Sequence, residues 1–150
     1  MKKTIAFLLL FVCQLPADEL LTQEERVVAL TLLGEARGEG KIGLFAVACV
    51  IQHRSLERSL TPMRVCLEPS QFDTWNAGRG KIKKERELYH LWKSKEMMYA
   101  RTLARHLCGG GLFIDATNGA NHFCHINSYP YWIKGKKPVK IIGRHKFFKL

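Results

Sequence analysis

Thr22-Gln23-Glu24-Glu25-Arg26-Val27-Val28-Ala29-Leu30-Thr31-Leu32-Leu33-Gly34-Glu35-Ala36-Arg37-Gly38-Glu39-Gly40 decides the fold. Thr22 followed three residues later by Glu25 is a capping box, the Thr side chain serving one free backbone N–H and the Glu side chain another. The helix it opens runs through Val27, Val28, Leu32 and Leu33 to about Ala36, where Gly38 and Gly40 stop it. Glu35 lies seven residues after Val28 and three after Leu32, on their apolar face. A carboxyl group half-shielded from water has a raised pKa and holds a proton near neutral pH. Cleavage of a glycosidic bond needs such a group to protonate the leaving oxygen.

Working outward, a second helix is expected over 41–58, apolar nearly all round between Ile42 and Ile51 and therefore central and buried. Thr61-Pro62 reads as an N-cap with proline at the first helical position. Gln71 to Gly78 forms a polar loop carrying Phe72 and Trp75. A long helix is expected over 82–107, its inner side marked by Leu88, Leu91, Trp92, Met98 and Leu103, ending at Gly109-Gly110-Gly111. Asp115 to Gly119 is turn-like, His122 to Ile126 extended, and Val139 to Phe148 strand-like. Helices followed by a small sheet make an α+β domain.

At 150 residues, 47% hydrophobic and 25% charged, the chain has the composition of one folded domain. Its net charge of +11 predicts attraction to a polyanion: nucleic acid, an anionic membrane surface or a carboxylate- and phosphate-rich cell wall. Lys2 and Lys3, the apolar run Ile5 to Val12, and Leu15-Pro16-Ala17 describe a secretory signal peptide, with cleavage near Ala17 and a secreted or periplasmic product. The run is too short to span a bilayer as a stable anchor. Two alternatives to a cleaved leader are a lipoprotein box, for which Val12 stands where a small residue is required, and a helix belonging to the fold. Loss of Lys2 and Lys3 removes two of 24 basic residues and none of the 13 acidic ones, so the mature domain remains basic. Cys49, Cys66, Cys108 and Cys124 then form an even set, and export predicts one or two disulfides among them. Cys124 beside His122 and His125 is the one cluster with metal-ligand chemistry. These side chains alternate across a strand and lack a second ligand pair, so no metal or other cofactor is expected.

Together the motifs resemble the bacterial cell-wall hydrolases of the spore cortex-lytic type. The resemblance rests on Gly34-Glu35-Ala36-Arg37-Gly38-Glu39-Gly40, Val47-Ala48-Cys49-Val50-Ile51-Gln52-His53-Arg54, Val65-Cys66, and Gln71-Phe72 with Trp75. It continues in Asp115-Ala116-Thr117-Asn118-Gly119-Ala120-Asn121-His122-Phe123, Tyr129-Pro130-Tyr131-Trp132, and Ile142-Gly143-Arg144-His145-Lys146-Phe147-Phe148. It covers about residues 22–150, so 18–150 is expected to be the catalytic domain. The resemblance implies a mainly helical, lysozyme-like domain with a small C-terminal antiparallel sheet. It also implies cleavage of the MurNAc-β-1,4-GlcNAc bond of peptidoglycan, with lytic transglycosylases among its members and Glu35 at the position of the catalytic acid. Cys124 and His125 depart from the family's pattern, as does the basic segment Asn76 to Glu85.

The residues themselves leave the roles around Glu35 partly open. Without the resemblance, a helix-terminal charge paired with Arg37 or solvated is the favoured account of Glu35. Glu39, at the start of the second helix, is either a dipole-stabilising carboxylate or a second catalytic or positioning group. Arg37 either orients Glu35, meets a substrate carboxylate, or makes a surface ion pair. Asp115 is a turn former or a second carboxylate, and Asp73 is a further candidate. Because sugar rings stack on aromatic faces, Gln71, Trp75, His122 and Tyr131 are the substrate-binding candidates, while Phe72 and Trp132 are assigned to the core. The partners expected are peptidoglycan strands and anionic wall polymers rather than nucleic acid, bound by a monomer. A hydrolytic muramidase or glucosaminidase with a second carboxylate, and a secreted cationic wall-binding protein without catalysis, are the competing functions.

Overall fold

The computed structural model describes residues 21–150. The expected leader and its cleavage site lie outside the described residues. Helix α1 spans Gln23–Ala36 and carries the capping box as read: Thr22 Oγ1 accepts from the Glu25 N–H and the Glu25 carboxylate from the Thr22 N–H. A 3-10 turn, Arg37–Glu39, leads into α2, Gly40–Arg58, and Thr61 caps α3, Pro62–Leu67. Helix α4 spans Met97–Cys108, and the chain closes with β1 (His122–His125), β2 (Lys140–Ile142) and β3 (His145–Phe148). The three strands form one antiparallel sheet in the order β1-β3-β2, His125 facing His145 and Lys140 facing Phe147 across the ladders. The architecture is α+β, mainly helical with a small C-terminal sheet.

The expected long helix over 82–107 is two elements. Glu85–Lys93 is a 3-10 helix, and α4 starts only at Met97. Ser94 adopts extended backbone and its hydroxyl engages both the N–H and the carboxylate of Glu96, a local bond that competes with helix continuation. The apolar spacing survives the break, since Leu88, Leu91 and Leu103 are buried, whereas Met98 turns out to solvent.

Helix α2 is the shared wall of two cores. Leu44, Val47, Ala48 and Ile51 face a cluster with Val28, Leu30, Leu32 and Leu33 of α1 and Val65 of α3. Ala46 and Val50 face the sheet through Ala120, Ile142 and Phe147. A helix covered on both sides is apolar nearly all round, which is why 42–51 reads that way.

Trp75 belongs to this core rather than to a cleft. It is 4% exposed, and its indole N–H donates to Thr31 Oγ1 at 2.7 Å. Thr31 in turn donates to the Val27 carbonyl at 2.8 Å, so the buried polar atoms of both residues are satisfied. Trp132, expected in the core, is only half-buried, with its ring 5.5 Å from Phe148 and 5.4 Å from His122. The cysteines depart from the expected disulfides: Cys49 and Cys66 are buried and, with Cys108 and Cys124, unpaired among the described residues. They are spread over different elements, Cys49 against the Ile114 carbonyl and Cys124 against that of Ser128. No helix of the described residues is long and apolar enough to cross a membrane.

Candidate functional site

The last turn of α1, the loop 70–74, β1, the segment 128–132 and His145 of β3 enclose a groove of about 1020 Å³. Glu35, Gln71, Asp73, His122, Tyr131 and Trp132 all line it. The groove therefore gathers three of the four expected sugar-contacting residues around the expected acid. Tyr131 stands 91% exposed at its rim.

Glu35 is half-buried in the floor. Its Oε1 accepts two hydrogen bonds from Thr74, from the backbone N–H at 2.8 Å and from the hydroxyl at 2.7 Å. Among the described residues, Oε2 has no protein hydrogen-bond partner. Burial is the main influence on this carboxyl and raises its pKa. The Thr74 bonds and the distant Arg54 charge oppose it, while the Asp73 carboxylate pushes the same way as burial. With Oε1 saturated by donors, a proton on Glu35 resides on Oε2.

Thr74 has no motif of its own, and its role was not legible in the sequence. Its trace is Gly34. A Cβ placed on Gly34 would lie 2.0 Å from Thr74 Oγ1 and 2.7 Å from Thr74 Cβ. A bare backbone one residue before Glu35 is what lets the loop close over the helix.

His122 is half-buried, and its Nδ1–H donates to Asn121 Oδ1 at 2.9 Å. Asn121 Oδ1 also accepts from the Leu150 N–H, fixing it as an acceptor. Burial first, and the Arg54 and Arg58 charges next, lower the His122 pKa. The neutral ring thus presents Nε2 as an acceptor. His145, also absent from the expected set, is 8% exposed and lines the groove, and among the described residues its Nδ1 has no partner. Burial lowers its pKa as well. Beneath the groove, Arg54 is 3% exposed, donates from Nε to the Asn121 carbonyl at 2.6 Å and lies 5.0 Å over the Phe72 ring. Burial pulls its pKa down to about 10, so it remains a cation.

Glu39, Arg37 and Asp115 fall outside the groove. The Glu39 side chain is 8% exposed and grips the β2–β3 turn: Oε2 accepts from the Arg144 N–H and Oε1 from Arg144 Nε, both at 2.8 Å. Gly143 has φ +55, and a Cβ there would meet Glu39 Oε2 at 2.2 Å, so the turn is shaped around this carboxylate. Arg37 donates to the Leu33 carbonyl at 3.2 Å, capping the end of α1, and makes no hydrogen bond to Glu35. Asp115 is a turn former: Oδ1 accepts from the Thr117 N–H and hydroxyl, Oδ2 from the Gly119 N–H, and His53 lies 3.2 Å away. These bonds outweigh desolvation and hold its pKa far below the usual carboxylate range.

The Arg144 bonds, above all the backbone one, lower the Glu39 pKa. A carboxylate depressed by folding stabilises the fold above its unfolded pKa, near 4.5, and loses that contribution as the pH falls through the folded value. Glu39→Gln is therefore expected to cost about 1–2 kcal/mol at neutral pH. In urea unfolding the gap to wild type should narrow steadily below pH 4.5, and a gap independent of pH contradicts this account.

The chain is similar to known proteins in its fold and in its family profile. Two solved structures share the fold: the catalytic domain of the germination-specific lytic transglycosylase SleB from Bacillus anthracis and that of the Bacillus cereus SleB protein. The first is 25% identical with a TM-score of 0.61, over 86% of this chain and 97% of that one. The second is 27% identical with a TM-score of 0.60, over 87% and 94%. No curated protein sequence matches the chain. The sequence profile of the cell wall hydrolases matches residues 38–148, most of the chain and all of the sheet that frames the groove, so the chain belongs to the cell wall hydrolase family.

Proposed function

We propose that the protein is a peptidoglycan lytic transglycosylase in which Glu35 acts as general acid and then general base. One observation carries this reading: a half-buried carboxyl lines an extended groove, one oxygen held by Thr74 and the other without a hydrogen-bond partner among the described residues. Glu35 Oε2–H gives its proton to the glycosidic oxygen as the bond to the anomeric carbon breaks. The resulting carboxylate takes the proton of the sugar's own C6 hydroxyl, whose oxygen bonds to the anomeric carbon. The products are a new 4-hydroxyl end and a 1,6-anhydro end, and no water is consumed. Gln71, neutral His122 and Tyr131 supply an amide, an acceptor nitrogen and a stacking face along the strand. The fold's likeness to a SleB lytic transglycosylase domain supports the same chemistry.

A second reading rests on Asp73, a carboxylate lining the same groove as Glu35. There it would direct water to the anomeric carbon and make the enzyme a hydrolytic muramidase or glucosaminidase. Mass spectrometry of muropeptides released from purified peptidoglycan separates the two. We expect anhydro ends, one water lighter than reducing ends; reducing ends alone overturn transglycosylation and implicate Asp73. In the cell, residues 1–17 serve as a cleaved signal, and 18–150 act as a monomer at the wall, held there by their basic surface.

A further inference from the structure

Beyond the groove wall formed by Tyr129, Pro130 and Tyr131 lies a second pocket of about 510 Å³, which shares those three residues with the groove. Its size falls within the roughly 300–1,000 Å³ of sites that hold small ligands. Ile133, Pro138 and Phe148 give it an apolar floor, and Lys134, Lys136 and Lys146 reach into it. None of these lysines is ion-paired to a carboxylate among the described residues. The sequence explains why: after Asp115 the chain contains no Asp or Glu, while it contains Lys134, Lys136, Lys137, Lys140, Arg144, Lys146 and Lys149. Lys146 is held in place, its Nζ donating to the Ser128 carbonyl at 3.0 Å and lying 4.4 Å from the Tyr129 ring. Unneutralised cations around an apolar, aromatic floor match a ligand that combines acid groups with short aliphatic side chains.

We propose that this pocket binds the carboxylate-bearing peptide stem of the glycan strand whose sugars occupy the Glu35 groove, an assignment that rests on the glycan-cleaving reading of that groove. The stem branches from the lactyl group of a muramic acid residue, and in this assignment a strand in the groove directs it over the Tyr129–Tyr131 wall, the side the two pockets share. Its alanine methyls meet Ile133 and Phe148, and its carboxylates meet Lys134 and Lys136. The protein thereby selects peptide-substituted over bare glycan.

The test is equilibrium binding to the inactive Glu35→Gln chain, which does not require turnover. The probes are soluble glycan strands with intact stems, strands stripped of stems by an amidase, and strands whose stem carboxylates are capped as methylamides. Intact strands should bind about tenfold more tightly than the other two, the worth of one charge-assisted contact. In the Lys134→Ala/Lys136→Ala double variant that advantage should vanish while the stripped strands bind as before. Equal binding of capped and intact strands overturns the assignment, as does an equal loss for all three in the double variant. Competition by a glycerol phosphate polymer that leaves the stem preference untouched places the wall polymer elsewhere and supports it; competition that abolishes binding of stripped and intact strands alike overturns it. Muropeptide release by the wild type reports separately on the Glu35 reading, so the two can fail independently.

Discussion

Glu35→Gln lowers muropeptide release by about 10³-fold, because it removes both the proton donor and the base that follows. The folded domain should be unharmed. A glutamine carbonyl still accepts from the Thr74 N–H and hydroxyl, and the buried negative charge is gone. Burial raises the Glu35 pKa, so the stability this group contributes is fully present below its unfolded value near 4.5 and is lost as the pH rises through the folded value. Wild type and variant should therefore unfold alike below pH 4.5, and the variant should have the higher Tm at neutral pH. The same shift places the alkaline limb of wild-type kcat/KM above the ordinary carboxylate range, since only the protonated form can donate. A variant that releases muropeptides at the wild-type rate removes Glu35 from the chemistry. A variant with lower Tm at pH 7 removes the account of its pKa.

Gly34→Ala is the second large effect, and it acts through Thr74. A new methyl 2.0 Å from the Thr74 hydroxyl has no room, and Thr74 is itself buried, so the loop 70–74 must lift. Overpacking of this kind costs about 1–3 kcal/mol. The larger consequence is for activity. Lifting Thr74 releases Oε1 of Glu35, and misplacing a catalytic group by about 1 Å costs on the order of 10²-fold. Trimming the other partner should recover stability in part but not activity: Thr74→Ala removes the Oγ1 and Cγ2 that a Gly34 Cβ would meet at 2.0 and 2.5 Å, and with them the hydroxyl bond to Glu35. Kinetics and urea unfolding of the single and double variants measure the coupling. Additive effects would mean that Gly34 and Thr74 do not act on each other.

These two residues also mark how far the sequence could be read. Thr22 and Glu25, or Thr61 and Pro62, announce their helices because each cap is made within three residues. The half-buried position of Glu35 was legible because its apolar neighbours lie on its own helix. Thr74 is 39 residues from Glu35 and meets it only once the chain is folded. The aromatics misled for the same reason. Trp75 in a polar loop looks like a sugar platform, yet Thr31, 44 residues earlier on α1, offers its indole N–H a buried acceptor. The long helix expected over 82–107 failed at Ser94, where a side chain outcompetes the next helical turn although Leu88 and Leu91 before it and Leu103 after it are all buried. His145 and Arg54 sit in strand and helix patterns that give no sign of a groove.

Helix α2 has a consequence for how this protein can change in length. Along it, Cys49, Gln52, His53, Arg54 and Glu57 each hold a point of the segment 113–121. One residue inserted near Ala48 would rotate everything after it by about 100°, swinging all five away from their partners and moving the strand that carries His122. The loop around Gly78 and Gly80 has no such constraint, since a Cβ at either glycine meets nothing within 4 Å. Insertions and deletions should therefore be absorbed at the edge of the domain near residues 78–80, while the spacing from Glu39 to Arg58 is held to the residue.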